Sequence, residues 1–402
     1  MKNIFLLMLL FTGMVKAQIV NIPDANFKAY LLSANTTVNF PYARDQFNNL
    51  MVIDANSDGE IQNTEAQAVY SLFVQSNDLI QSIEGLFSFT NLSGVTIQSI
   101  SQLSAIDLSG LPTLTGVGIE SNNNLLSVNL SGLSNLTFLN CRYNFSLSTI
   151  NLSGLHNLVT FRGWSNSFTS LDLSDLDSLN YLDCVGNQLT TLDVVGLSQL
   201  TYLDFSDNAP LTAVNLIGLP LLTDVEGSFN AGLMNNLTDL TVIDCPLFSN
   251  LWIASPDLVN LTCNSAGINN ISIESNQIAT VNLTGCSSLL ILSFTSSPQL
   301  NTINLSGCAA LQAISTNVSS FTTLDLSDCQ SLESIFLRNS QLTELDLTMA
   351  PNLVTLYLEN SLQLSRLFIK NGSIENNPNF FGLNNLEFVC VDDAQIDAIQ
   401  TI

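Results

Sequence analysis

A short apolar pattern recurs every 21 or 22 residues over 105–230 and again over 276–370. One unit reads Leu-Asn-Tyr-Leu-Asp-Cys-Val-Gly-Asn at 179–187, and the next reads Leu-Thr-Tyr-Leu-Asp-Phe-Ser-Asp-Asn at 200–208. A second apolar triplet follows in each unit, such as Leu-Thr-Thr-Leu-Asp-Val at 189–194. A unit this short must bury its apolar face by stacking on its neighbours. The repeat therefore predicts a mainly β solenoid that is poor in helix.

The Leu-x-Leu or Leu-x-Cys pair of each unit predicts a short strand. Its two apolar side chains point inward, and the residues beside and between them point outward. In the first half an Asn follows each strand, at Asn144, Asn166, Asn187, Asn208 and Asn230. A buried Asn at a turn can satisfy backbone groups of two adjacent units, which predicts a hydrogen-bonded ladder. Later units hold Ser instead, which predicts a less tightly bonded second half, at Ser297, Ser319, Ser340 and Ser361.

The first 17 residues have the features of a cleaved signal peptide. Lys2 supplies the positive start, residues 4–11 form a short apolar run, and Val15-Lys16-Ala17 precedes the expected cleavage point. The run is too short to span a bilayer. We therefore expect an exported chain without membrane insertion, located in the periplasm, at the cell surface or in the medium.

These patterns divide the chain into four segments. They are a signal peptide (1–17), an N-terminal cap (18–78), a repeat solenoid (79–372) and a C-terminal cap (373–402). The period slips at 231–275, where we expect a distorted region and no domain boundary, because the apolar triplets continue. Truncation of the C-terminal cap is an open alternative.

Two helices are expected in the N-terminal cap. The first covers 23–35, because Pro23 suits a first helical turn and Asp24 favours the positive end of a helix. A second, shorter helix is expected around 64–72. The repeats then begin irregularly, as is typical of a segment that covers the open end of a solenoid.

The charge balance disfavours two classes of partner. Without the signal peptide the chain keeps seven basic residues against 34 acidic ones, a net charge of −27. Such a surface repels phosphate backbones and anionic membranes, so nucleic acid and lipid partners are disfavoured. It suits a cation or a basic partner, and we expect a monomer.

Most of the eight cysteines are expected to be unpaired core residues. Three of them take the second apolar position of the Leu-x-Leu pair, namely Cys141, Cys184 and Cys245. Three others stand at a later position that is Leu in other repeats, namely Cys286, Cys308 and Cys329. Buried Cys behaves as a small hydrophobic residue. The pairing state of Cys390 stays open, because it lies past the last repeat. The sequence contains neither a Cys-x-x-Cys pair nor a His cluster, which excludes a zinc site.

The sequence pattern of the repeats resembles that of leucine-rich repeats. Together with the start Ile22-Pro23-Asp24-Ala25-Asn26-Phe27-Lys28-Ala29-Tyr30-Leu31, it resembles the secreted, internalin-like repeat proteins of the Bacteroidetes. The resemblance implies a leucine-rich repeat horseshoe or arc with parallel strands on its concave face and a small helical N-terminal cap. Members of this family often continue into a C-terminal module for export and surface attachment, which is not found before Ile402.

Residues 54–65, Asp-Ala-Asn-Ser-Asp-Gly-Glu-Ile-Gln-Asn-Thr-Glu, match the calcium loop of an EF-hand. Calcium takes six to eight oxygen ligands, and alternate side chains of a tight loop converge on one point. Gly59 permits the sharp turn, and Ile61 fills the apolar position. The alternative is an Asx-rich turn that only resembles such a loop. We expect a structural Ca²⁺ ion held by Asp54, Asn56, Asp58, Glu60, Gln62 and Glu65.

Outward strand positions of five successive units predict a binding surface. Adjacent parallel strands lie about 4.8 Å apart, so aromatic rings, two arginines and several carboxylates should meet on one face. Such surfaces bind proteins or glycans, although aromatic residues also suit strand surfaces in general. The expected ligand-binding residues are Phe138, Asn140, Arg142, Arg162, Trp164, Tyr181, Asp183, Tyr202, Asp204, Asp224 and Glu226.

Catalysis finds little support in the sequence. His156 is the single histidine and occupies a variable turn position. The favoured function is therefore an exported recognition or adhesion protein that binds a protein or glycan on its concave face, and no enzyme. One alternative is a structural spacer of a longer surface protein. Another is a parallel β-helix polysaccharide lyase, for which only Arg142 and Arg162 with Asp183 could be combined.

Overall fold

A computed structural model of the chain describes residues 18–37, 41–226, 236–376 and 378–396. The expected signal peptide (1–17) and the expected ladder residue Asn230 lie outside these residues. The described part is a mainly β solenoid of stacked parallel strands with few helices, as predicted. None of its helices combines the length and the apolar character that crossing a membrane requires.

The described residues before 227 contain the helices and the first thirteen strands. The helices are α1 (Ala25–Leu32), α2 (Asn63–Ala66) and a 3₁₀ turn (Leu86–Ser88). The strands are β1 (Tyr42–Arg44), β2 (Leu50–Met51), β3 (Ser71–Gln75), β4 (Gly94–Gln98), β5 (Ala105–Asp107), β6 (Gly116–Glu120), β7 (Ser127–Asn129), β8 (Phe138–Asn140), β9 (Thr160–Arg162), β10 (Tyr181–Asp183), β11 (Tyr202–Asp204), β12 (Ala213–Ile217) and β13 (Asp224–Glu226).

The described residues from 236 onward contain the remaining strands and a second 3₁₀ turn (Asp393–Gln395). The strands are β14 (Asp239–Ile243), β15 (Asn250–Ala254), β16 (Asn260–Asn264), β17 (Asn270–Glu274), β18 (Thr280–Asn282), β19 (Ile291–Phe294), β20 (Thr302–Asn304), β21 (Ala313–Thr316), β22 (Ser334–Arg338), β23 (Glu344–Asp346), β24 (Thr355–Glu359), β25 (Arg366–Phe368) and β26 (Phe388–Cys390).

The strands lie on two faces of the stacked coils. The first face carries a ten-stranded sheet, β13-β11-β10-β9-β8-β6-β4-β3-β1-β2, and later a six-stranded sheet, β15-β17-β19-β21-β22-β24. The second face carries the sheets β5-β7, β12-β14-β16-β18-β20 and β23-β25-β26. Pairing is parallel except where β1 meets β2 and β3 in the N-terminal cap.

Alternation along each strand separates the core from the surface. In β10, Leu182 is fully buried, whereas Tyr181 and Asp183 on either side of it are partly exposed. The next coil repeats this in register, with Leu182 opposite Leu203. Burial of one such side chain stabilises the fold by about 1.5–3 kcal/mol. The core is therefore a continuous column to which each coil contributes a few apolar side chains.

The Asn ladder forms as predicted and includes Asn122 one coil earlier. Asn144 is fully buried, and its Oδ1 accepts a hydrogen bond from the N–H of Asn122 at 2.9 Å. Its Nδ2 donates to the carbonyl oxygens of Ile119 at 2.8 Å and Cys141 at 2.6 Å. One amide thereby satisfies backbone groups of two coils. Asn166 repeats this arrangement. Asn187 and Asn208 make the same two carbonyl bonds, but their Oδ1 atoms accept from the N–H groups of Phe168 and Leu189.

The helices of the N-terminal cap are shorter than predicted. Asp24 caps α1 from outside the helix, and its Oδ1 accepts from the N–H groups of Asn26 and Phe27, so Pro23 lies before the helix. The expected helix at 64–72 ends at Ala66. Residues 71–75 form β3 instead, because Leu72 and Val74 alternate with outward residues and pair with β4. Parallel pairing thus begins ahead of the expected start at residue 79.

The region expected to be distorted, 231–275, is regular from Asp239 onward. Its coils are slightly shorter, since Asn250 pairs with Asn270, and its strands have five residues each. The apolar pairs continue through it, which keeps the strands in register. The slip of the period reflects a changed coil length, and residues 227–235 lie outside the described part.

All eight cysteines are free, and the six that were expected in the core are buried, as predicted. Cys263 is also buried. One assignment was wrong in detail: Cys245 follows β14 and takes the turn position that Leu219 holds one coil earlier, because Val242 pairs with Leu216. Cys245 therefore shares its type of position with Cys286, Cys308 and Cys329.

Candidate functional site

Register places the predicted ligand-binding residues in adjacent columns of the ten-stranded sheet. One column holds Phe138, Thr160, Tyr181, Tyr202 and Asp224. The next holds Asn140, Arg162, Asp183, Asp204 and Glu226. Arg142 and Trp164 follow two residues after the second column. We call the surface made by Phe138, Arg142, Tyr143, Arg162, Trp164, Tyr181 and Tyr202 the aromatic face.

Arg142 is held in place by Glu120, a residue that the sequence analysis did not select. Its Nε and Nη2 both lie 2.9 Å from Glu120 Oε2. Asn140 Nδ2 donates to the other carboxylate oxygen at 2.8 Å. Asn140 itself is 5% exposed. It therefore supports this ion pair from below and is not part of the accessible surface.

The guanidinium of Arg142 also lies beside two rings. It is 5.5 Å from the centroid of Trp164 and 6.0 Å from that of Tyr143. These two rings lie 4.4 Å apart at 56°. Tyr143 was missed because it falls in the turn: its left-handed backbone, φ 60°, directs the chain away from the strand.

Arg162 lies between two aromatic rings. Its guanidinium carbon is 5.7 Å from the centroid of Phe138 and 5.2 Å from that of Tyr181. Its Nε is buried and has no hydrogen-bond partner within the described residues. Arg162 thus differs from Arg142, whose charge is balanced by Glu120. Each guanidinium–ring contact contributes about 0.5–1 kcal/mol at an exposed site.

Tyr181 and Tyr202 form a face-to-face stack. Their ring centroids are 4.4 Å apart, and the ring planes differ by 5°. Arg162 lies on the strand at the opposite side of Tyr181 from Tyr202. Both faces of the Tyr181 ring are therefore covered by protein, and the ring presents its edge and hydroxyl outward.

The carboxylates of the predicted site follow the rings in the same coils. Asp183 Oδ1 accepts from the N–H of Val185 at 3.3 Å, and Asp204 Oδ1 accepts from the N–H of Ser206 at 3.0 Å. Asp224 accepts from the hydroxyl of Thr223 at 2.9 Å. Glu226 belongs to β13, but its side chain lies outside the described part. These acids partly order the strand ends and give the aromatic face a negative border.

The predicted calcium loop is closed by hydrogen bonds to its own backbone. Asp54 is 9% exposed, and its two oxygens accept from the N–H groups of Asp58 at 3.2 Å and Gly59 at 3.0 Å. Asp58 Oδ1 accepts from the N–H of Glu60 at 2.9 Å, and this bond holds the pKa of Asp58 below its ordinary value. Gly59 has φ 81°, the left-handed backbone that the motif requires.

Residue Glu65 closes the loop from its far end. Glu65 Oε1 accepts from the N–H of Ala55 at 2.8 Å, and Oε2 accepts from the N–H of Gln62 at 3.0 Å. Gln62 Nε2 donates to Asp58 at 2.9 Å. The carboxylate of Glu60 points away to Lys28 Nζ at 2.6 Å.

A second segment anchors the loop to the cap. Ile61 is fully buried, and its carbonyl accepts from the N–H of Val20 at 2.8 Å. Ile19 forms an antiparallel bridge with Gln62. The oxygen-rich donor set suits a hard cation such as calcium. Over the part of the chain that the structure describes, however, no three His, Cys, Asp or Glu side chains are arranged as a ready metal cage.

Comparison with known proteins gives matches among solved structures only. No family model and no curated protein matches the chain. It is similar to the functional domain of InlJ from Listeria monocytogenes, described as including a cysteine ladder, with 18% identity over 88% of this chain and 77% of that one and a TM-score of 0.32. An internalin (InlF) of the same organism has 17% identity over 94% and 98% with a TM-score of 0.37. A leucine-rich repeat protein of Leptospira interrogans has 16% identity over 84% and 88% with a TM-score of 0.37. At this level the similarities carry no information on a ligand.

Proposed function

We propose that the chain is an exported leucine-rich repeat binding or adhesion protein that recognises a protein ligand through its aromatic face. The position of Arg162 carries this proposal. A guanidinium between the rings of Phe138 and Tyr181, with a buried Nε that lacks a partner in the described residues, is the arrangement of a pre-organised interface arginine.

The covered rings favour a protein over a glycan. A sugar stacks on an open ring face, whereas Tyr181 is covered by Arg162 on one side and Tyr202 on the other. The ring edges, hydroxyls and guanidinium groups that remain suit the mixed polar and apolar surface of a protein. A glycan ligand is the alternative outcome of the test below.

The same geometry supports a binding role over a catalytic one. A lyase needs a cation that neutralises an acidic sugar beside a base. Arg142 is engaged by Glu120, and Arg162 lies between rings, so the two arginines do not form one cationic site. His156 lies away on an exposed turn, where its Nδ1 is 3.5 Å from Asp177. We therefore propose that the chain is not an enzyme.

The cap is proposed to be stabilised by calcium, and the chain is proposed to act in the periplasm, at the cell surface or in the medium. Asp54, Asn56, Asp58 and Glu65 supply side-chain oxygens, and the carbonyl of Glu60 is the expected backbone ligand. Bound calcium would supply a positive charge that cross-links the two ends of the loop. The fixed Ile19–Gln62 bridge supports a structural role for the loop.

The proposal is tested by a binding screen of the full chain, in calcium, against arrays of extracellular proteins and of glycans. The informative variant combines Arg162→Ala with Tyr202→Ala. Both side chains are partly exposed, and neither makes the Glu120 ion pair that orders the sheet. We expect a protein hit whose affinity falls at least about 100-fold in this variant, the effect of losing hot-spot contacts.

A matched control lies on the first face in the six-stranded sheet. Phe336 and Tyr357 stack there at 5.2 Å, and Arg338 pairs with Glu359 at 3.1 Å. The variant Phe336→Ala/Arg338→Ala removes a ring and a guanidinium of the same kinds and should bind normally. Equal loss in both variants, or full binding by the first, contradicts the assignment. A chain that folds but binds nothing on either array favours the spacer alternative.

A further inference from the structure

Cys263 occupies a position that no other cysteine of the described chain shares. It lies on β16, where it pairs in register with Val242 of the previous coil, and its side chain is fully buried. Cys286 lies in the turn after β18 of the following coil and is also fully buried. A cysteine inside the strand thus faces a cysteine in the turn of the adjacent coil.

The two sulfur atoms are in contact. Their Sγ atoms are 3.3 Å apart, and the thiol of Cys286 donates to Cys263. A disulfide requires about 2.05 Å, so closure needs a movement of about 1.3 Å. When Cys286 is ionised, its thiolate accepts a hydrogen bond from the Cys263 thiol, which lowers the pKa of Cys286 and raises that of Cys263. Burial raises the pKa of Cys308 and of Cys329 to about 12.

We propose that Cys263 and Cys286 form a disulfide that links consecutive coils when the chain folds under oxidising conditions. The oxidising conditions follow from the proposed export of the chain, and in this respect the disulfide rests on the proposed function. The disulfide does not depend on ligand binding by the aromatic face. The other buried cysteines stay reduced, because within the described part only Cys263 and Cys286 have their sulfur atoms in contact.

The reaction is thiol–disulfide exchange with a small disulfide such as oxidised glutathione. The Cys286 thiolate attacks one sulfur of the oxidant and releases one glutathione thiolate. The Cys263 thiolate then attacks Cys286 Sγ and releases the second. The cysteine pair loses two protons and two electrons, and the oxidant becomes two thiols. Because both side chains are fully buried in the finished fold, exchange takes place during folding, before the coils close.

The link would lie at the start of the second half of the solenoid. β16 pairs with β14, the first described strand after residue 235. On the first face, β13 and β15 belong to different sheets at this level of the stack. A disulfide on the second face would constrain the unfolded chain across neighbouring coils at the level where the described strands β13 and β15 of the first face are not paired.

The test folds the full chain from denaturant in a glutathione redox buffer and, in parallel, in a phosphine reductant. Each sample is then denatured and alkylated, and its intact mass and peptide map are recorded. We expect eight alkylated cysteines after reductant and six after glutathione, with one cross-linked peptide pair joining Cys263 to Cys286. The glutathione sample should also have a higher Tm, which dithiothreitol added during unfolding lowers to that of the reduced sample.

Two variants test which cysteines form the disulfide, whereas the mass measurement above detects it in the unsubstituted chain. Cys286→Ser should remove the cross-link and the effect of reductant on the Tm. Cys308→Ser, which alters the same turn position one coil later, should leave both unchanged. Eight alkylated cysteines in natively folded protein from the glutathione buffer would overturn the proposal, as would a cross-link between any other pair. Both readouts are independent of ligand binding.

Discussion

The Asn side chain that follows each strand of the ladder satisfies several buried backbone groups at once. Asn166 is 5% exposed, its Oδ1 accepts from the N–H of Asn144, and its Nδ2 donates to Cys141 and Gly163 carbonyls at 3.0 and 2.7 Å. No apolar side chain could satisfy three buried backbone groups at once. The Asn column is therefore required by hydrogen bonding, while the Leu columns are required by volume.

Replacing Asn166 with Ala should lower the free energy of unfolding by about 3 kcal/mol, since buried backbone groups lose their partners at about 1–3 kcal/mol each. Urea denaturation followed by circular dichroism measures the change. Asn157→Ala is the control, because Asn157 is exposed and makes one bond, to the Ser134 carbonyl at 2.9 Å. Equal shifts of the two variants would contradict the role given to the ladder.

Asp24 joins helix α1 to the first coil. Its Oδ1 caps the helix, and its Oδ2 accepts from the N–H groups of Gln81 at 2.7 Å and Ser82 at 3.0 Å. Burial alone raises the pKa of Asp24, but these backbone hydrogen bonds outweigh it and hold the pKa below 3.8. Because the folded pKa is depressed, the stabilisation is complete above 3.8 and is lost as pH falls through the folded pKa.

Asp24→Asn should keep the helix cap but place an amide donor against Gln81 and Ser82, at a cost of about 1–2 kcal/mol at neutral pH. The difference in Tm between this variant and the unsubstituted chain should shrink as the solution is acidified below the ordinary Asp pKa. Thermal melts across the acidic range measure it. A difference that stays constant would show that the charge of Asp24 plays no part.

At this scale the sequence predicted much of the candidate site. Rings and arginines were placed correctly by counting outward positions, because strand alternation is strict. Glu120 was missed because the selection began at Phe138, although the same counting one coil earlier reaches it. The burial of Asn140 was not predictable from spacing, since it depends on the side-chain contact with Glu120.

Among the elements, the N-terminal loop gathers several carboxylates within twelve residues, and their oxygens bond to the loop's own backbone. Asp54, Asp58 and Glu65 accept hydrogen bonds from backbone N–H groups of the same loop. A cation would add an attraction among carboxylates that otherwise repel one another. The loop therefore bears on the stability of the cap, which covers the first coil.

The Tm of the chain should be higher in calcium than in a chelator. At a calcium concentration 100 times the Kd, binding to the folded state should raise the free energy of unfolding by about 2.7 kcal/mol. Glu65→Gln should remove this response, and Glu84→Gln, a charge change at an exposed site outside the loop, should preserve it. Differential scanning calorimetry with and without calcium measures both. Identical melts in calcium and in chelator would rule out the site.

Short elements were the hardest to predict. The helix expected at 64–72 overlaps the start of the alternating apolar pair Leu72 and Val74, and the pairing of β3 with β4 decided the outcome. The sequence analysis identified the second apolar triplet of each unit but did not assign it to strands of a second face, such as β12 and β14. Their assignment depends on pairing with neighbouring coils, a contact that no single repeat reveals.

Over the whole molecule, the two halves differ in how their turns are bonded. From β4 to β11 the buried amides link successive coils. From β19 to β24 the corresponding position holds Ser, and Ser340 Oγ donates to Ser361 Oγ at 2.8 Å, while Ser297 and Ser319 hydroxyls have no partner within the described residues. The predicted loosening of the second half therefore has a direct counterpart in the hydrogen bonds.

Amide hydrogen exchange should be at least about tenfold faster in β19–β22 than in β8–β11, because a difference of one hydrogen bond per coil, about 1.4 kcal/mol, corresponds to that factor. Mass spectrometry of peptic peptides from the full chain resolves the two regions. Strand β6, which precedes Asn122, should match the slow group. Equal protection on both sides of residue 227 would contradict the difference.

The Asn ladder also affects how the number of coils can change during evolution. Asn144 reaches the carbonyls of Ile119 and Cys141 and the N–H of Asn122, so its side-chain bonds stay within its own coil and the one before it. A recombination event that duplicates or deletes one whole coil would recreate these contacts at the new junction. An insertion that changes the spacing between a strand and the Asn that follows it would break them. The length of the solenoid can therefore change in steps of one coil, independently of the residues that a ligand contacts.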